Sequence, residues 1–111
     1  MPVAVLSPAT VGSGMGKLVR DLIPALIEAE GLRPRTSRVS GPELRRRLFE
    51  KLAEEALELE RDPCAEELAD CLEVLRAIAT EHALSWDEAE RLRLEKRERR
   101  GGFERGWVLE G

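Results

Sequence analysis

The residues best placed to do chemistry are carboxylates. With 22 Asp and Glu among 111 residues, the strings Glu54-Glu55-x-x-Glu58 and Glu66-Glu67-x-x-Asp70 say little by themselves, and placement on a helix is what sets them apart. At about 100° per residue, Leu48, Leu52 and Leu59 fall within about 40° of one another, and Glu55 completes their row. A second row, Glu67, Cys71, Val74 and Ile78, repeats the arrangement with Asp70 one turn along beside it. In both rows a carboxylate stands where an apolar side chain belongs. A buried ionised carboxylate without a partner costs many kcal/mol, so such a group must take up a proton, a basic partner or a metal.

The intervening sequence brings the two rows together. If the chain reverses near Asp62, Glu58 lies four residues before the turn and Glu67 five after, Glu55 seven before and Asp70 eight after. At a rise of about 1.5 Å per residue the two pairs meet at nearly the same level. Glu55, Glu58, Glu67 and Asp70 are therefore the expected metal ligands, and Glu55 or Glu58 the expected base toward a bound water. Oxygen donors without His or Cys suit magnesium, with manganese as the alternative. Glu54, Glu66 and Glu73 project further round. The competing reading is a solvated acidic face paired with Lys51, Arg61 and Arg76.

The elements that would hold these groups are helices. Leu18, Leu22, Ala25, Leu26 and Ala29 recur at helical spacing, with Pro24 as a kink and Gly31 as a stop. A basic loop follows, and Ser40 with Glu43 forms a capping box for a second helix running to about Arg61. Asp62-Pro63 opens a third, to about His82. Ser85 with Glu88 opens a fourth through about Lys96, closed by Gly101-Gly102. Residues 103–111 form a short tail, and residues 1–16, uncharged and rich in Gly and Pro, form another. Gly12 to Lys17 misses the phosphate-loop pattern at Val11 and Leu18. Met15 is read as an alternative start.

Composition agrees. Charged residues are 36% of the chain and aromatics 4%, without Tyr, which favours an all-α fold over a sheet. The length supports one domain, residues 17–111, and leaves an apolar face over for a partner copy. A formal charge of -4 argues against general nucleic-acid binding, and the lone Arg100-Gly101-Gly102 run does not outweigh it. No window suits a membrane span and the start lacks a secretory signal, so a cytoplasmic location is expected. Cys64 and Cys71, about 10 Å apart along one helix, are expected as reduced thiols. His82 is expected to serve a helix C-terminus, and Trp86 to pack beside its capping box.

Four blocks in order, MGKLVRDLIP, KLAEEALEL, EELADCLEVLRAI and EKRERRGGFE, together resemble the MazG-like and phosphoribosyl-ATP pyrophosphohydrolase group of all-α nucleotide pyrophosphatases. The resemblance runs over most of the chain from Met15. It implies an antiparallel helical hairpin with flanking helices that assembles with itself, as homodimer or homotetramer, into a bundle. It also implies magnesium-dependent cleavage between the α- and β-phosphates of a nucleoside triphosphate, giving monophosphate and pyrophosphate. On that likeness Glu55 and Glu58 match the first ligand pair, and Glu67 and Asp70 the second. The connection between Glu58 and Glu67 is shorter than in many members. Lys17 and Arg20 in the first block, with Asp21 to orient Arg20, and Lys96, Arg97 and Arg100 in the last, are the candidates for the triphosphate. House-cleaning of nucleotides is the expected role, phosphoribosyl-ATP hydrolysis in histidine synthesis the alternative, and a non-catalytic helical dimer or adaptor the rival from another class.

Overall fold

The computed structural model describes residues 16–111, and every regular element among them is a helix. These are α1 (Ile23–Ala29), α2 (Gly41–Arg61), α3 (Ala65–Glu81) and α4 (Trp86–Arg100). The expected N-terminal tail, apart from Gly16, and the reading of Met15 as a start lie outside the described residues.

The one extensive packing between helices joins α2 to α3, across the three residues Asp62, Pro63 and Cys64. Leu48 of α2 is buried against Val74 and Ile78 of α3, with Leu18, Leu44, Leu52 and Ala77 packed around them. Burying each such side chain is worth about 1.5–3 kcal/mol. The core is thin, however: besides these three, only Ile27 and Cys71 are buried apolar residues among those described.

Several boundaries differ from expectation for identifiable reasons. Helix α1 begins at Ile23 with Pro24 in its first turn, where the missing N–H costs nothing, so Pro24 opens the helix and does not kink it. Residues 16–20 are not helical, and Leu18 reaches the core from an irregular segment. Gly31, at φ +86°, stops the helix as expected.

At the start of α2, Ser40 makes no side-chain cap, and the Glu43 carboxylate is engaged by Arg46 and Arg47 at 2.7 and 2.8 Å, so neither half of the expected box forms. Asp62 ends α2 by donating its N–H to the Glu58 carbonyl at 3.0 Å, so it does not cap α3. Pro63 forces the residue before it out of helical geometry, and Cys64 becomes the N-cap of α3. Cys64 is consequently exposed at the turn, whereas Cys71 is buried; both are free thiols.

Ser85 does cap α4, accepting from the Glu88 N–H at 3.0 Å, while the Glu88 carboxylate turns to Arg91. Helix α4 continues past Lys96 to Arg100 and stops at Gly101, φ +83°. No helix among the described residues is long and apolar enough to cross a membrane.

Candidate metal centre

The centre lies toward the ends of α2 and α3 that meet at Asp62–Cys64. One carboxylate oxygen each from Glu55, Glu67 and Asp70 lie within 4.8 Å of one another. The α2 row that buries Leu48 carries Glu55 inward with it, leaving its side chain 13% exposed. Glu67 and Asp70, one turn apart on α3, come from the other side of the same seam.

Glu58 departs from the expected set of four. It lies outside the grouping of the other three and pairs with Arg61, 3.3 Å distant, and its side chain is 45% exposed. Its charge nonetheless acts on Glu67. Burial, then the neighbouring charges of Asp70, Glu58, Glu55 and Asp62, push the Glu67 carboxyl above its ordinary range. Three acids converge, and Glu67, which has no basic partner in contact among the described residues, is raised first by burial and then by their repulsion.

Basic groups answer part of that charge. Lys51 Nζ sits 3.4 Å from Glu55 and 3.3 Å from Glu54. Lys17 Nζ lies 2.7 Å from Glu54, and Arg20 Nη2 lies 2.8 Å from Asp70 Oδ1. The irregular segment before α1 thus ties to both long helices, to α2 through Lys17 and to α3 through Arg20. Arg20 is held by Asp70, not by the expected Asp21. Burial pushes the Glu54 carboxyl up, but the hydrogen bond from Lys17 and the charge of Lys51 outweigh it and hold the group below the usual range. Glu54, expected further round, is half-buried between two lysines. Its i, i+3 spacing to Lys51 was the local signal; Lys17 gave none.

The donor chemistry fits a hard divalent cation. The buried Cys71 thiol, next to the acids in the row, is pushed up by burial and by Glu55, Asp70 and Glu67, so it stays protonated and offers no thiolate. His82 is the C-cap residue of α3, its ring edge-to-face with Phe49 at 5.7 Å. The only grouping of at least three potential ligand residues among the described residues is the three carboxylates.

The remaining expected contacts are not gathered at this point. Lys96 and Arg100 are exposed on α4, which starts from the α3 end remote from the turn and carries no buried residue. Arg97 pairs with Glu104 at 2.8 Å. Trp86 is covered by the Arg76 guanidinium, 4.7 Å from the ring centre, which occupies both side chains in packing. Open concavities along the loop after α1, lined by Glu28, Gly31, Leu32, Arg33 and Pro34 and by Arg38, Val39 and Ser40, contain none of the acids. Comparison with family models, with curated proteins and with solved structures returns no match.

Proposed function

We propose that the chain is a magnesium-dependent nucleoside triphosphate pyrophosphohydrolase of the MazG-like kind, an antiparallel helical hairpin that acts as an assembly of copies. The convergence of Glu55, Glu67 and Asp70 within 4.8 Å carries this reading, supported by the four sequence blocks in their order. Three acids this close, one of them held above its ordinary range, form a site whose repulsion a divalent cation relieves.

Glu55, Glu67 and Asp70 would hold the ion, with Glu58 at the rim. A bound magnesium supplies charge neutralisation on phosphate oxygens and a more acidic water. Glu55, 13% exposed, would orient such a water, and Glu58, outside the set of three and paired with Arg61, would accept its proton. Arg20 already pairs with Asp70, so its remaining guanidinium donors would be available to a phosphate drawn to the cluster, and Lys17, paired with Glu54, would be a second cation for it. Lys96 and Arg100 would bind the outer phosphates only from another copy or after α4 moves.

Release of pyrophosphate and nucleoside monophosphate, measured over a panel of nucleoside triphosphates with magnesium and then with a chelator, tests the reading. Turnover with magnesium, abolished by chelation and by Glu55→Gln, is expected; no product from the wild type across the panel contradicts it. One observation favours the rival class: Arg20 on Asp70 and Lys51 on Glu55 show that basic groups already satisfy part of the acidic row. On that reading the chain is an adaptor whose acids bind a basic partner, and the same assay gives nothing.

A further inference from the structure

The formal charge of the chain is unevenly spread. Residues 96–107, from the last turns of α4 into the tail, hold five basic and two acidic residues, a formal +3, against -7 for all the others together. The ion pairs of α4 join Arg91 to Glu88 and Glu95, Arg93 to Glu90, and Arg97 to Glu104. Lys96, Arg99, Arg100 and Arg105 have no acidic partner among the described residues, and all four are exposed. On the helix, Lys96, Arg99 and Arg100 fall within about 100° of its circumference, so their charges add along one side.

The tail that follows has a definite shape. Arg97 reaches forward to Glu104 at 2.8 Å. A Cβ on Gly102 would overlap that guanidinium, so the bare glycine is what lets the pair close over the chain. The N–H of Gly106 then donates to the Phe103 carbonyl at 3.2 Å, and the chain turns again with Gly106 at φ +68°. An aromatic ring stands at either end of this turn, Phe103 99% and Trp107 87% exposed. Glu104, the acid between them, is already answered by Arg97, whereas Arg105 beside it is not.

We propose that residues 96–107 form a docking surface for a single-stranded polynucleotide. Each part of the surface meets one part of such a strand. The guanidinium and ammonium groups take phosphate oxygens, and the two rings offer their faces to unpaired bases. An apolar groove on a protein would suit the rings and leave four cations unanswered, and a duplex keeps its bases stacked on one another, away from the rings. The negative charge of the rest of the chain disfavours a strand elsewhere and confines the contact to this segment. The surface does not depend on the metal centre, and Arg105 and Trp107, which carry its test, have no part in the hydrolase reading.

Fluorescence anisotropy of labelled oligouridylate and oligothymidylate, each of about 20 nucleotides and titrated with the full chain in chelator, reads binding without turnover. Saturable binding of at least one strand is expected, the tighter of the two distinguishing RNA from DNA. Log affinity should fall against log salt with a slope of about -3, roughly 0.7 for each of the four cations. Trp107→Ala should weaken binding about tenfold or more at an unchanged slope, and Trp107→Phe should restore most of the loss. Arg105→Gln should weaken binding and make the slope shallower by about 0.7. Arg46→Gln removes the same charge from an exposed position on α2, where Arg46 pairs with Glu43 and Glu50, and should leave binding unchanged. All three substituted side chains are exposed, so helix content by circular dichroism should not change. Failure of both strands to bind at about 100 µM chain, far above the site affinity that four cations and two rings provide, overturns the proposal. Equal losses from Arg105→Gln and Arg46→Gln overturn it too. So does a duplex of the same length, poly-glutamate or a phosphatidylglycerol vesicle that binds as tightly as the strands.

Discussion

Arg20 reaches across fifty residues of sequence to set its Nη2 2.8 Å from Oδ1 of Asp70. That pair fixes the segment before α1 at the edge of the acidic cluster and puts a guanidinium next to a proposed metal ligand. Both groups are about half exposed, so the pair adds under about 1 kcal/mol to stability. Arg20→Gln should therefore hardly move the denaturation midpoint. It should raise the KM for a nucleoside triphosphate on the order of tenfold, the size of one charge-assisted hydrogen bond to phosphate. Steady-state kinetics beside a urea titration separates the two effects; a large loss of stability with unchanged KM would show a structural role alone.

The strain at Glu67 has a pH signature. Its carboxyl is raised in the folded chain, first by burial and then by Asp70, Glu58, Glu55 and Asp62, so the folded state holds this proton more tightly than the unfolded state does. Its ionisation therefore opposes folding above the raised value, and that opposition is relieved as pH falls through it. In chelator, wild type should lose stability relative to Glu67→Gln as pH rises from the ordinary carboxylate range toward neutrality. Magnesium at neutral pH should close the gap for wild type only. Thermal melts of both proteins across that range, with and without the ion, read this out.

Leu48 is 5% exposed and packs against Val74 and Ile78. Leu48→Ala should cost about 2–5 kcal/mol, a large share of the stability of a domain with so few buried residues. Leu94→Ala, on a helix with no buried residue, should change stability by less than about 0.5 kcal/mol. Chemical denaturation of the two variants provides the contrast.

The thiols should differ in reactivity. Cys64 is exposed at the turn, whereas Cys71 is buried and its thiol is pushed up by burial and by the acids beside it. A disulfide reagent at neutral pH should modify one thiol per chain quickly and the second only on unfolding.

Much of this was legible in local sequence. Apolar periodicity placed α2 and α3, the level-matching around Asp62 anticipated the meeting of Glu55 with Glu67 and Asp70, and Ser85 and Gly101 marked the ends of α4. What escaped it depends on contacts distant in the chain or on competition between neighbours. Residues 17–20 have a helical pattern but leave helical geometry, with Lys17 and Arg20 bound to Glu54 and Asp70, 37 and 50 residues away. Ser40 and Glu43 have the spacing of a box, yet Arg46 and Arg47 take the glutamate first. Glu58 follows the apolar row closely enough to resemble a ligand, but it pairs with Arg61 one turn on and stays outside the grouping of three.

Binding of manganese, followed through the loss of its free-ion electron paramagnetic resonance signal, addresses the proposed centre without requiring turnover or knowledge of the substrate. Saturable binding is expected for wild type, weakened at least about tenfold by Glu67→Gln and by Asp70→Asn while both variants keep their helix content. Manganese that fails to bind, or binds equally well to all three proteins, would contradict the assignment of Glu55, Glu67 and Asp70 as a metal centre.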